Sequence, residues 1–275
     1  MSVTEYVIAI VAGIVQGIVE WLPVSSQGNL SLALTLMGVR PETALQLALF
    51  FQVGTTLSAV AYYRDDIATL FDSVSSWRPG SAYREDHAVT SYLVVACAVT
   101  GLVGIPIYVF AVDLAGQVSG GLFIATIGLL LILTGVLQRT SESLSMGRRN
   151  VPTAFDSIVV GAVQGIAILP GISRSGVTTS VLLFRSYEPP AAFRLSFLLS
   201  IPASLGAAAL TVVGAGGLPG IGLGPAITAV LVSAMVGYLT IGTLMRIVDR
   251  IPFSVVCFGL GALALVGGGA VTVIV

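Results

Sequence analysis

Glu20 and Arg174 are charged residues set in otherwise apolar surroundings, and each has small polar residues around it. Near Glu20 stand Gln16, Ser25, Ser26, Gly28 and Asn29, and near Arg174 stand Gly171, Ser173, Ser175 and Gly176. A carboxylate can take a proton, hydroxyls can bond an anion, and a guanidinium is a planar, permanently charged fork suited to phosphate oxygens. Charged side chains are costly within a membrane and by default mark function. As an alternative, Glu20 and Arg174 neutralise each other as a buried pair that holds two parts of the chain in register. Gln16, one helical turn before Glu20, either orients the carboxylate or a water or serves as interhelical glue, like its counterpart Gln164. Ser25 and Ser26 have the further option of bonding back to helix carbonyls.

The elements that must position these groups are helices in a membrane. Of 275 residues, 56% are hydrophobic and 9% charged, and the mean hydropathy is +1.01. Such a chain cannot cover a soluble globule with polar surface. Its apolar runs are of helical length and rich in glycine, which argues against the short alternating strands of an outer-membrane barrel. The chain is expected to be an all-α polytopic membrane protein. All basic residues are arginine, and the net charge of −1 gives no reason to expect nucleic acid as a partner. Cys97 and Cys257 lie in separate apolar runs and read as small buried hydrophobes, with no disulfide framework or metal site. His87, in the polar loop, reads as solvated. The first run opens with Ser2 and Glu5 instead of a basic region, so no removable signal peptide is expected.

A first helix is predicted from Ser2 to Glu20, with capping-box spacing at Ser2 and Glu5, and Trp21-Leu22-Pro23 stops it. A second apolar segment, from about Ser26 to Met37, is too short to span a bilayer core that needs ~20 residues, so re-entry is the simpler account. Crossings follow at Thr43 to Tyr63, Thr90 to Phe110 and Ser119 to Gln138, with a kink expected at Gly104 and Pro106. In the long loop between the first two, Ile67, Leu70, Phe71, Val74 and Trp77 fall at helical spacing. That pattern reads as an amphipathic helix on the membrane surface or, equally, as a loop helix covering the bundle.

The pattern then restarts. Thr153 and Asp156 have capping-box spacing, an apolar segment ends at Leu169-Pro170-Gly171, and a short helix runs from about Ser173 to Arg185. Long segments at Pro190 to Val213, Gly224 to Arg246 and Pro252 to Val275 complete the chain. At an offset of 148 residues Gly13, Val15, Gln16, Gly17 and Ile18 recur as Gly161, Val163, Gln164, Gly165 and Ile166, and Ala44, Leu47 and Leu57 recur as Ala192, Leu195 and Leu205. A duplication is expected, with repeat 1 over about 1–138, a linker over about 139–152 and repeat 2 over about 153–275. Each half holds one broken pair and three crossings. Three is odd, so the halves must lie upside down relative to each other, giving an inverted-topology repeat of about six transmembrane helices plus two re-entrant helical hairpins.

The arginine distribution orients the bundle. Arg40 is the one basic loop residue on the side of the amino terminus, whereas Arg64, Arg78, Arg84, Arg139, Arg148, Arg149, Arg185, Arg246 and Arg250 fall on the other. Positive-inside bias therefore predicts a multi-pass protein of the cell membrane with both termini outside. Backbone freed at each break must be buried in protein or line a watery cavity. If both hairpins point inward, the two short helices start near mid-membrane with free N–H groups and positive dipole ends converging, which suits an anion. Glu20 and Arg174 are the charged residues expected deep in the bundle.

Gln16-Gly-x-x-Glu20-x-Leu-Pro-x-Ser-Ser-x-Gly28, together with Pro170-Gly-Ile-Ser-Arg-Ser-Gly176, resembles the paired signature of undecaprenyl pyrophosphate phosphatases, the bacitracin-resistance family. The resemblance covers essentially the whole chain. It implies removal of the terminal phosphate of a polyprenyl diphosphate, giving the monophosphate carrier lipid of envelope glycan assembly, and dependence on a divalent cation, Mg²⁺ or Ca²⁺. By motif position Glu20 is then the catalytic carboxylate and a metal ligand, Ser26 the candidate nucleophile, and Arg174 with Ser173 the phosphate-binding pair. The substrate-binding set comprises Gln16, Ser25, Gly28, Asn29, Gly171, Ser173, Ser175 and Gly176. Two positions depart from the family's usual pattern: Gln16 replaces a glutamate and Asn29 a histidine. Neither amide titrates, so proton transfer falls on Glu20 or on water, and attack by Ser26 or by a water both remain open. The weaker carboxylate complement argues against a tight metal site.

The expected partners are the polyprenyl diphosphate lipid, the membrane and a second copy of the chain in a homodimer. A rival reading is a flippase or transporter that uses the same anion site without hydrolysis. A third is a silent homologue acting as a structural partner.

Overall fold

The computed structural model describes residues 3–84, 87–144, 147–248 and 252–274. Its α-helices are α1 (Val3–Val19), α2 (Ser26–Leu36), α3 (Pro41–Tyr62), α4 (Arg64–Ser76), α5 (Ala88–Gln117), α6 (Gly120–Leu144), α7 (Ala154–Ile166), α8 (Arg174–Phe184), α9 (Pro189–Gly214), α10 (Leu223–Val248) and α11 (Phe253–Ile274). Among the described residues, six helices are long and apolar enough to cross a membrane: α3, α5, α6, α9, α10 and α11. The chain is a polytopic helical membrane protein. Large apolar side chains such as Leu102, Leu133, Leu239 and Leu263 stand on its outside, as lipid contact requires.

The short helices come in pairs. α1 stops after Val19, where Leu22 N–H turns back to the Val19 carbonyl and Pro23 follows. Ser25 then caps α2 with its hydroxyl on the Gly28 amide at 3.2 Å. α7 stops after Ile166, and Ser173 caps α8 through the Gly176 amide at 3.2 Å. At 11 residues each, α2 and α8 fall well short of the ~20 a spanning helix needs.

Packing follows the recurring residues. Cβ positions at Gly13 and Gly17 lie 2.8 Å from the Ala229 carbonyl oxygen and from Val236 of α10, so α1 presses directly on that helix. Gly161 and Gly165 do the same for α7 on α5, with Cβ positions 2.6 Å from the Ala96 carbonyl oxygen and 2.7 Å from Val103. Glycine one turn apart lets two backbones meet without a side chain between them. α2 packs on α3 and α8 on α9, while α6 packs on α11. Exchanging α1, α2, α3, α5 and α6 for α7, α8, α9, α10 and α11 thus maps these pairings onto one another.

Several expectations need correction or completion. Asp156 is fully buried, so Glu20 and Arg174 are not alone as interior charges. It forms the expected capping box with Thr153, and it also accepts hydrogen bonds from Arg149 at 3.0 Å, Arg185 at 2.7 Å and Tyr187 at 2.7 Å. α5 remains one helix through Pro106, and Gly104 packs toward Gly165. α4 is the helix expected in the long loop. Trp77 Nε1 ties the end of α4 to Ser91 at 2.8 Å, while Phe71 and Val74 stay exposed. The capping box expected at Ser2, and Arg250, lie outside the described residues.

Candidate active site

The two breaks touch. Ser25 Oγ accepts the Gly171 amide at 3.1 Å as well as that of Gly28, and Gln27 Nε2 donates to the Ile168 carbonyl at 2.7 Å. A Cβ at Gly28 would sit 2.6 Å from the Gly171 nitrogen, so glycine is what lets the hairpins close on each other. Ser25 itself adopts a left-handed backbone (φ 60°), a costly conformation for a residue with a side chain, held by these bonds on both sides. Neighbouring helices satisfy carbonyls freed at the breaks. Gln138 Nε2 donates to that of Pro23 at 2.5 Å and Thr134 Oγ1 to that of Gly171 at 3.2 Å.

Glu20 lies at this junction, its side chain 8% exposed. Its Oε2 accepts Gln16 Nε2 and Ser26 Oγ, each at 2.6 Å, and its Oε1 accepts Arg174 Nη2 at 2.6 Å. Arg174 is held from its other side. Nη1 donates to Gln52 Oε1 at 3.3 Å, to the Ser200 carbonyl at 3.5 Å and to the Ser204 hydroxyl. A hydroxyl, a carboxylate that can take its proton and a fixed guanidinium are therefore in direct contact, beside the starts of two helices. That arrangement can bind a phosphate and present an oxygen nucleophile to it.

The group opens into a cavity of about 380 Å³, in the size range of small-molecule sites. Glu20, Ser25, Ser26, Ser173, Arg174 and Ser175 all line it. The other expected residues stand behind them. Gln16 reaches the site through Glu20, Gly28 and Gly171 form the close approach of the two breaks, and Gly176 packs against Gln138 of α6 and the Ser173 cap. Ser173 Oγ is engaged as the cap of α8, and Ser25 Oγ joins the breaks. Asn29 turns its amide back to the carbonyls of Val24 at 2.7 Å and Ser25 at 3.0 Å, stiffening the first break.

Sequence reasoning missed Gln52, Ser200 and Ser204, which anchor Arg174. A signal for them existed: Ser196, Ser200 and Ser204 recur every fourth residue in an otherwise apolar segment, and the offset of 148 carries Gln52 onto Ser200.

The residues do not fit a divalent cation held by the protein. Glu20 is the one carboxylate among the described lining residues, and both its oxygens are engaged, one of them by a cation already. Among the described residues no three His, Cys, Asp or Glu side chains converge. Hard cations take several oxygen ligands, usually with more than one carboxylate or phosphate among them.

Residues 9–263 match the family model described as Bacitracin resistance protein BacA. The chain is 46% identical over 264 residues to an undecaprenyl-diphosphatase of Haloarcula marismortui, covering 95% of this chain and 96% of the relative. It is 40% identical to an undecaprenyl-diphosphatase of Methanococcoides burtonii, covering 94% and 96%. A third relative of that name, from Saccharolobus solfataricus, is 34% identical, with 95% of each chain covered.

Proposed function

The chain belongs to the family of Bacitracin resistance protein BacA, and from that premise we propose that it is an undecaprenyl-diphosphatase, removing the terminal phosphate of a polyprenyl diphosphate. The observation that carries the reading is the contact of Ser26 Oγ with Glu20 Oε2 at 2.6 Å while Arg174 Nη2 holds Glu20 Oε1 at 2.6 Å. A nucleophile, its proton acceptor and a phosphate-binding fork meet where two positive helix ends converge.

In the proposed reaction the diphosphate enters the cavity and its terminal phosphate takes hydrogen bonds from Arg174. Ser26 Oγ attacks the terminal phosphorus, Glu20 accepts the Oγ proton, and the bond from that phosphorus to the bridging oxygen breaks. Glu20 passes the Oγ proton to the departing polyprenyl monophosphate and is a carboxylate again. Water then attacks the phosphoserine, one of its protons passes to Glu20, the Oγ–P bond breaks, and Glu20 returns that proton to Ser26 Oγ as inorganic phosphate departs. Charge on the transferring group faces Arg174 and the first turns of α2 and α8 throughout. Gln16 keeps Oε2 aimed at Ser26 by donating to the same oxygen. No step passes through a metal.

We read the matched pairings as an inverted repeat in which α1 with α2 and α7 with α8 are re-entrant hairpins that meet near mid-membrane. Both termini then lie outside the cell membrane by the arginine distribution.

Phosphate release from undecaprenyl diphosphate by the purified protein in detergent tests the reading. Release by wild type, abolished in Glu20→Gln and Arg174→Ala, is expected. Lipid binding without release points to a flippase and overturns hydrolysis.

A further inference from the structure

The matched helix pairs do not close equally. Where α3 meets α10 the helices interlock: a Cβ at Gly54 would lie 2.4 Å from the Val230 carbonyl oxygen, and Ser58 Oγ donates to the Ala234 carbonyl at 2.6 Å. The counterparts of α3 and α10 are α9 and α5. Here the residue 148 positions beyond Ser58 is Gly206, and a Cβ built on it meets nothing within 4 Å. Gly101 on α5 also looks onto open space. Both glycines line the cavity, so the broken match between the two helix pairs is what opens it.

The lining changes character along both helices. On α9 it is polar at Ser196, Ser200 and Ser204 and then wholly apolar to Val213. On α5 it passes from Thr100 to Gly101, Gly104 and Ile105. Ile105 is 51% exposed, so the apolar end opens on the outer face of the bundle where lipid lies. One end of a single cavity thus suits a diphosphate and the other suits hydrocarbon.

We propose that the gap between α5 and α9 is the groove that takes the first isoprene units of the substrate, and that Gly101 and Gly206 keep it open. The occupant follows from continuity: an apolar chain attached to a phosphate on Arg174 must leave the polar end, and this is the apolar wall of the same cavity. The proposal rests on the phosphatase reading for its substrate, while its geometry is independent of hydrolysis. Because the groove is open to lipid, chain beyond those first units lies in the bilayer and its length is not measured.

The test uses the full-length protein with Gly206 and Gly101 changed separately to Ala, Leu and Trp. Leu57→Phe, on the outward face of α3, serves as control. Equilibrium binding of undecaprenyl phosphate and the inhibition constant of inorganic pyrophosphate against phosphate release are both measured. Lipid binding should weaken with side-chain size, at least tenfold for Leu, mainly as a rise in KM in turnover, with pyrophosphate inhibition within twofold of wild type and the control unchanged. Leu and Trp variants that bind the lipid as wild type does would overturn the groove. So would a matched loss of pyrophosphate affinity, which would place the damage at the polar end. If wild type binds the lipid but releases no phosphate, hydrolysis falls and lipid binding alone judges the groove.

Discussion

Ser26 and Arg174 hold opposite oxygens of one carboxylate, each at 2.6 Å from Glu20. They also occupy matching places: each is the first residue of a short helix, each follows a capping serine, and 174 − 26 gives the same offset of 148 that relates the two halves. Where one half puts a hydroxyl at its helix start, the other puts a cation. On the proposed reading, the two matching helix starts supply the nucleophile and the phosphate-binding fork of a single site.

Removing the hydroxyl separates the two possible nucleophiles. If Ser26 attacks phosphorus, Ser26→Ala should lower kcat by roughly 10³-fold with little change in KM. Glu20→Gln should fall as far, because it takes away the acceptor of that proton. A phosphoserine trapped by acid quench in wild type and missing in Ser26→Ala would complete the case. An Ala variant within about tenfold of wild type assigns the attack to water.

Gln52 and Ser204 act through Arg174 and are positioning residues. Hydrogen bonds to a charged group are worth about 1.5–3 kcal/mol, so Gln52→Leu and Ser204→Ala should each reduce kcat/KM by roughly 10- to 100-fold. If Arg174 meets phosphate before chemistry begins, as proposed, much of the loss should be a higher KM. Ser204→Thr keeps the hydroxyl and should recover most of it. Equal loss in the Ala and Thr variants would make Ser204 a packing residue only.

The donor set makes a separate prediction about cations. With Glu20 as the one carboxylate among the described lining residues, lipid-free protein should take up no Ca²⁺ or Mg²⁺ in equilibrium dialysis at about 0.1 mM, whereas uptake should appear with undecaprenyl diphosphate, which brings its own oxygen ligands. Gln16→Glu places a second carboxylate one helical turn away and should produce uptake without lipid. Stoichiometric binding by lipid-free wild type would refute this.

Closure of the two hairpins depends on a missing side chain. Gly28→Ala forces a Cβ to within 2.6 Å of the Gly171 nitrogen, and backbone yields less than a flexible side chain. Overpacking of this kind costs ~1–3 kcal/mol. The melting temperature should fall by several degrees, and turnover should fall further than stability, because Ser25, Ser26 and Glu20 all sit at the displaced contact. An Ala variant with wild-type melting and turnover would mean that the hairpins have room to part.

Much of this is legible in the sequence, for a physical reason. The helices α2 and α8 lie within two residues of their expected bounds because Pro23 and Pro170 stop the preceding helices and Ser25 and Ser173 offer caps. Glu20 and Arg174 stand out because a charge within an apolar run is costly to keep unless it has a use. Gln52 and Ser204 do not, since an amide or hydroxyl within a crossing helix is equally at home bonding its own backbone, as Thr55 and Thr56 do to the Gln52 carbonyl. Asn29 is expected among the substrate contacts, and its amide is turned to the carbonyls of Val24 and Ser25. Which of two matched helix pairs stays apart is a property of packing; the offset of 148 sets Gly206 against Ser58, but that exchange by itself does not say that the helices part.

Asp156 fastens the base of the second hairpin, outside the six long spans, by joining Arg149 before α7 to Arg185 and Tyr187 after α8. At the first pair of short helices, Ala9 and Leu34 share one apolar core cluster with Val39 packed against it. Burial alone would raise the Asp156 carboxyl, but hydrogen bonds from Thr153, Arg185 and Tyr187 outweigh it and bring it from 3.8 down to about 2. A lowered carboxyl contributes stability that is complete above its unfolded value and is lost as pH falls from about 3.8 through about 2. The lock should therefore not titrate between pH 5 and 9, and any pH dependence of turnover in that window arises elsewhere. Asp156→Asn removes the charge and one acceptor. Because both arginines are about one-third exposed and water can reach them, the cost should be ~1–3 kcal/mol, below that of a fully buried pair. A melting temperature lower by about 5 °C in detergent is expected, with KM for undecaprenyl diphosphate unchanged, since Asp156 does not line the cavity. A variant that melts like wild type and loses turnover would instead place Asp156 in the reaction.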